Sequence, residues 1–210
     1  MKTTDLIREN PGTWQEATRH PFLDAVREGT IPAAAFDAWL AQDYLFAGDL
    51  LTFQSRLLAR APRRDGAQAV LAGGLVAVEA ELGWFEEKAR ERSLTLDPRR
   101  HPTTAAYGDL LAELGGVSYP AAMTALWAIE RAYLEAWRSA APSDPAYREF
   151  VEHWTTLEFE EYVAGLGTAA DSALARADGA EIEESERVFG ELARLERDFW
   201  EMSFSAGGEA

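Results

Sequence analysis

The sequence predicts an all-α protein folded as a single bundle-like domain, and three observations predict it. Apolar residues recur every three to four positions along most of the chain, the period of a helix with a buried face. No stretch alternates apolar and polar residues long enough to build a sheet. No repeat, low-complexity linker or boundary separates two cores, and 210 residues, 47% of them hydrophobic, suffice for one sizeable core.

In chain order, Thr3–Glu9 reads as a short helix capped by its Thr and stopped by Pro11. Thr13–Arg19 adds a turn or two before His20-Pro21, and Phe22–Glu28 continues helically until Gly29. Pro32 suits the first turn of a long helix reaching about Arg60. Its stripe runs through Phe36, Trp39, Leu40, Phe46, Ala47, Leu50, Leu51, Gln54, Leu57 and Leu58. After Ala61-Pro62, a helix over Asp65–Arg92 carries Val70, Leu71, Leu75, Val78, Leu82 and Phe85. Thr95–Pro102 is a loop with His101 on its surface. Thr103 or Thr104 then caps a helix to Leu114 that Gly115-Gly116 terminates. Pro120 fits the first turn of a helix over Ser118–Ala141. Ser143–Leu166 follows the Pro142 break as one helix, with Tyr147, Trp154 and Tyr162 among its buried candidates. A weaker segment covers Ala169–Arg176, and the last helix is Glu181–Ser205. The total is about seven or eight helices, with a Gly-rich, frayed tail from Ala206.

Charge and composition remove several function classes. A formal net charge of −16 argues against non-specific binding to nucleic acid or to an anionic membrane, both of which need clustered Lys and Arg. With 0 Cys there is no disulfide framework, thiolate metal site or cysteine nucleophile. No apolar run approaches the roughly 20 residues of a membrane span, and no signal-peptide pattern opens the chain, so the expectation is a soluble cytoplasmic protein. His20, His101 and His153 each lack a carboxylate three residues before them. The Glu-x-x-His pairs of a di-iron bundle therefore cannot be assembled, and no metal site is expected.

What remains is acids where helical periodicity calls for hydrophobes. In Met123–Trp137, Glu130 stands within the stripe of Met123, Leu126, Trp127, Tyr133, Leu134 and Trp137. Asp43 interrupts the long second stripe in the same way, with Phe46 and Ala47 one turn away. Glu196 lies beside Val188, Leu192, Leu195, Phe199 and Met202. A carboxylate facing a core must be paired, hydrogen-bonded or protonated. Acids lining an aromatic cavity, completed by Trp154 and Tyr107, suit a flat, nitrogen-rich heterocycle: rings sandwich it while carboxyls accept from its N–H groups. The bland alternative is that each acid is a solvated helix-surface residue.

Five stretches in series carry a resemblance: HPFLDAVREGTIPAAAFDAWLAQDYLF (His20–Phe46), HPTTAAYGDLL (His101–Leu111), WAIERAYLEAW (Trp127–Trp137), EFVEHWTTLEF (Glu149–Phe159) and LERDFWEMSF (Leu195–Phe204). Together they resemble the TenA family, also called thiaminase II. The resemblance implies a compact haem-oxygenase-like helical bundle without haem or other cofactor, assembled as a homo-oligomer, a dimer or tetramer. It also implies C–N bond cleavage at the methylene of an aminopyrimidine in thiamin salvage. It places the family's pyrimidine-contacting Asp on Asp43, an aromatic on Phe46 where a Tyr is common, and further site residues on Tyr107, Tyr133, Trp154 and Glu196. The family's cysteine position falls on Ile129, so this chain resembles the cysteine-lacking branch, with the adjacent Glu130 contributing instead.

The mechanism expected from this has Asp43 fixing the ring through its amino group. Glu196 would share a proton with a ring nitrogen, Glu130 would serve as acid or base at the methylene, and Tyr133 would orient Glu130 or water. Phe46, Tyr107 and Trp154 would wall the ring. Without a thiolate, hydrolysis of the aminomethyl-pyrimidine or its N-formyl derivative is expected to exceed thiamin cleavage. A non-catalytic aminopyrimidine-binding protein and a metal- or quinone-dependent oxidative enzyme are the alternatives.

Overall fold

Ten α-helices and no strand make up the described residues, 1–63 and 66–207, of the computed structural model. They are α1 (Thr3–Glu9), α2 (Pro11–Thr18), α3 (Pro21–Glu28), α4 (Ala33–Arg60), α5 (Ala67–Glu91), α6 (Pro102–Glu113), α7 (Tyr119–Ser139), α8 (Arg148–His153), α9 (Leu157–Leu174) and α10 (Gly179–Ser205). Most boundaries have a local chemical cause. The His20 ring accepts from the Phe22 amide at 3.1 Å beside Pro21, and Gly29, at φ 70, closes the same helix in the left-handed region. Ser118 caps α7 and Asp178 caps α10, where Asp178 and Glu181 bond each other's amides at 3.0 Å in a capping box.

The architecture turns on α7. Of its 21 residues, 16 are buried, so it is covered on every side rather than along the single stripe its sequence suggests. Alanines at 121, 125, 128, 132 and 136 let α10, α9 and α2 approach closely around it, with α4 and α3 completing the shell. Glu130 therefore has no wet edge to occupy. A second sub-layer, α5, packs against α4 and α9 and leaves a cleft between α5 and α9.

Several element expectations change. One helix over Ser143–Leu166 and a weak segment over Ala169–Arg176 become α8 and α9, separated at Trp154–Thr156. Thr156 leaves helical backbone (ψ 157) and its side chain accepts from the Phe159 amide at 3.1 Å, a capping bond stronger than the apolar pattern across it. Residues 145–147 form a turn held by Asp144, whose side chain accepts from the Ala146 amide at 2.9 Å. Pro11 starts α2 rather than merely ending α1. Lys2, not Thr3, is the first cap, while the Thr3 hydroxyl donates to Asp171 at 2.8 Å and ties α1 to α9. Exposed His101, not Thr103 or Thr104, caps α6, freeing Thr104 to donate to Gln42 at 2.7 Å in the core. The expected helix start at Asp65, and the tail at 208–210, lie outside the described residues. Among the described residues no helix is long and apolar enough to cross a membrane.

The small faces of α7 set a stability requirement. Ala132→Leu is expected to overpack the core and lower the unfolding free energy by about 1–3 kcal/mol in urea titrations. An unchanged midpoint would show that α7 is not clamped as described.

Candidate active site

Two cavities meet at the centre of the molecule. An outer cavity of about 570 Å³ lies between α5 and α9. Its floor is the small residues of α5, among them Gly73, Gly74 and Ala77, and Phe159, Tyr162 and Trp154 wall it. An inner chamber of about 20 Å³, room for roughly one water, is enclosed by α4, α5 and α7. It is lined by Asp43, Phe46, Ala47, Leu50, Glu81, Phe85, Ile129, Glu130, Tyr133 and Trp154. Glu81, Glu130 and Trp154 line both spaces and form the partition between them.

Asp43 faces the inner chamber from α4 and is 3% exposed. Its Oδ2 accepts a short hydrogen bond from the Tyr133 hydroxyl, which itself accepts from Trp39 Nε1 at 3.3 Å. Its Oδ1 is buried with no partner. A buried, unsatisfied carboxyl oxygen is costly, and it is the natural place for a ligand N–H. Tyr133 thus orients Asp43, a contact the sequence did not suggest.

Glu130 projects from α7 to the partition, 6% exposed. Tyr162 from α9 acts on its carboxyl as a hydrogen-bonding neighbour, and the Tyr162 hydroxyl accepts from Gln54 Nε2 at 2.9 Å. Gly74 permits this arrangement, because a Cβ there would collide with both Gln54 Nε2 and the Tyr162 hydroxyl. Ile129, beside Glu130, lines the inner chamber too, so the position matched to the family's cysteine presents a hydrocarbon wall.

The sequence reasoning missed Glu81. It stands on α5 three residues after Val78 and four before Phe85, on the stripe those residues define. The test that found Asp43 and Glu130 would have found it. Trp154 Nε1 donates to Glu81 Oε1 at 2.6 Å, and His153 Nε2 is 4.0 Å from the same oxygen. His153 stacks on Trp84 at 4.0 Å and burial lowers its pKa to about 4, which keeps it neutral. Trp154 is further fixed by stacking on Trp137, with centroids 5.0 Å apart.

Tyr107 and Glu196 stand one layer back. The Tyr107 hydroxyl donates a short bond to Glu196, and its ring contacts Phe46 at 4.6 Å, but neither residue lines the two cavities. Phe46 and Trp154 line the inner chamber, whereas Tyr107 supports Phe46 from behind. Among the described residues no group of three His, Asp or Glu is arranged to hold a metal ion.

Burial governs the electrostatics. Desolvation raises Glu81 to about 7 and both Glu130 and Glu196 to about 8, and it pushes Asp43 well above the usual carboxylate range. Hydrogen bonds from Trp154, Tyr162, Tyr107 and Tyr133, respectively, pull the four partway back. Among the described residues no Lys or Arg acts on any of them.

With this geometry in view, comparison with known proteins is decisive for family. The model of the TENA/THI-4/PQQC family matches residues 9–206. The chain belongs to the TENA/THI-4/PQQC family. A soybean (Glycine max) protein described as a probable bifunctional TENA-E protein is 32% identical over 96% of this chain and 92% of its own length. An aminopyrimidine aminohydrolase of Halalkalibacterium halodurans is 23% identical over 91% of this chain and 90% of its own. Among solved structures, a TenA homologue from Pyrococcus furiosus superposes with a TM-score of 0.92 at 31% identity, covering 97% of this chain and 100% of that one. This TENA/THI-4/PQQC member therefore has the haem-oxygenase-like all-helical fold that the resemblance implied.

The raised carboxyls make a pH prediction for this family member. Above about pH 4.5 the unfolded chain releases these protons while the folded protein still holds them, so stability falls as pH rises until the folded groups ionise at about 7 to 8. Urea unfolding across that range should show the decline, and Glu130→Gln should flatten it. A flat wild-type profile would mean the carboxyls are not protonated in the fold.

Proposed function

We propose that this protein is a thiamin-pyrimidine salvage hydrolase. It cleaves the C–N bond of an aminomethyl-aminopyrimidine, or of its N-formyl derivative, to give the hydroxymethyl-pyrimidine, with ammonia released from the amine. Carboxyls act in place of a cysteine. The observation that carries this proposal is the unpartnered Asp43 Oδ1, buried and facing a chamber walled by Phe46, Tyr133 and Trp154. An exocyclic amino group supplies the missing donor, and the aromatic walls suit a flat ring. The name of the Halalkalibacterium relative, an aminopyrimidine aminohydrolase, supports the same substrate class.

In this account Asp43, held by Tyr133, orients the ring through its amino edge. Glu130, one wall further out, serves the methylene as acid or base. Glu196 and Tyr107 act from behind Phe46, keeping that wall in place, and Glu196 when ionised favours the protonated forms of Asp43 and Glu130. The inner chamber is too small for the ring as it stands, so binding must part the Glu81–Glu130–Trp154 partition. Trp154 sits where α8 gives way to non-helical backbone before α9, the place where such a movement disturbs the fewest helical bonds.

The test is turnover of aminomethyl-aminopyrimidine, its N-formyl derivative and thiamin side by side, followed by mass spectrometry. Hydroxymethyl-pyrimidine from the amine with little from thiamin is the expected result. Bound ligand without product from any of the three would point instead to a pyrimidine-binding protein. Asp43→Asn converts one acceptor into a donor, so either Tyr133 or the ligand loses its bond. Affinity should weaken about 10- to 100-fold in calorimetric titration, and unaltered affinity would remove Asp43 from the binding site.

A further inference from the structure

Glu81 has no task in the reaction as described so far, yet it is placed at the reacting end of the site. Resting on the function proposed above, the geometry points to Glu81 as the catalytic base that activates water, leaving Glu130 as the acid that protonates the departing nitrogen. Access distinguishes the two carboxyls. Both line the partition, but Glu81 is half-buried where it meets the outer cavity, whereas Glu130 is buried. Water entering between α5 and α9 meets Glu81 first. The Trp154 bond uses Oε1 and fixes the carboxyl's orientation, which leaves Oε2 to a water.

The surroundings match that division. The titratable groups facing Glu81 are Asp43 from α4, Glu130 and Tyr133 from α7, His153 at the end of α8, and Glu158 and Tyr162 from α9. None is a cation at neutral pH, His153 being held neutral by burial. Glu81 is raised to about 7 and Glu130 to about 8, and the charge of Glu81 is one cause of the higher value. The pair shares a proton that rests on Glu130 when Glu81 ionises.

The step balances within the site. Water gives a proton to the Glu81 carboxylate as its oxygen bonds to the methylene carbon. The C–N bond breaks, its electron pair goes to nitrogen, and nitrogen takes the carboxyl proton of Glu130. Ammonia and the alcohol leave, and a proton passing from Glu81 to Glu130 restores the starting state.

The experiment measures pH profiles of the wild-type full chain with Glu81→Gln, Glu81→Asp and Glu81→Ala on the aminomethyl substrate. Glu81→Gln should lower kcat by at least about 100-fold with KM within about threefold, the scale of a general base, and lose the acid limb of kcat/KM. Glu81→Asp keeps a carboxyl, so it should retain the acid limb at an intermediate rate. Added formate, a small carboxylate able to enter the outer cavity, should restore Glu81→Ala activity about tenfold, an effect that a purely structural role does not produce. Should Glu81→Gln fail to fold, the Glu81→Asp profile decides, and loss of its acid limb overturns the proposal. So does Glu81→Gln with at least a third of wild-type kcat and both limbs intact. Wild-type protein without turnover removes the reaction and its base together. A competent wild type with an unaffected Glu81→Gln removes the base alone.

Discussion

Four carboxyls withdrawn into one core, with no cationic partner among the described residues, are the constraint on which the rest of this structure depends. Asp43, Glu81, Glu130 and Glu196 come from four helices, α4, α5, α7 and α10. Four unpaired charges cannot be held in such a place, so burial shifts all four toward their protonated forms and the fold lends them neutral donors: Tyr133, Trp154, Tyr162 and Tyr107. Each donor is an aromatic hydroxyl or indole, which is why chemical polarity and aromatic walls coincide here. In the proposed function, a ligand rich in N–H groups completes the arrangement from outside.

This constraint explains why the rest of the molecule is so crowded. Holding the aromatic donors requires close helix contacts, and these come from the alanine faces of α7 and from Gly74, whose missing side chain lets Gln54 and Tyr162 pass. Ile129 shows the other half of the trade. Where the resemblance places the family's cysteine, hydrocarbon closes the chamber, and in the proposed function the acid-base work falls to the carboxyls around it.

Asp43 and Glu130 were legible from the sequence, because an acid inside an apolar stripe contradicts helical periodicity and both prove buried. Glu81 obeys the same rule and was passed over, since its helix is rich in Ala and Gly and its apolar face is weakly marked. Periodicity also could not say whether Tyr107 and Glu196 touch the chamber or stand behind Phe46, because depth depends on how helices pack across one another. The all-helical fold was legible in most of its elements. The break between α8 and α9 was not, because a single Thr156 side-chain bond outweighs an apolar pattern that runs through it.

The central claim is that the free Asp43 oxygen reads the amino group of a pyrimidine. Calorimetric titration of the protein with hydroxymethyl-aminopyrimidine and with the same ring carrying hydrogen in place of the exocyclic amino group tests it directly. The account predicts at least about tenfold weaker binding of the analogue, the scale of one hydrogen bond to a charged or buried acceptor. Equal affinity for the two rings would contradict it.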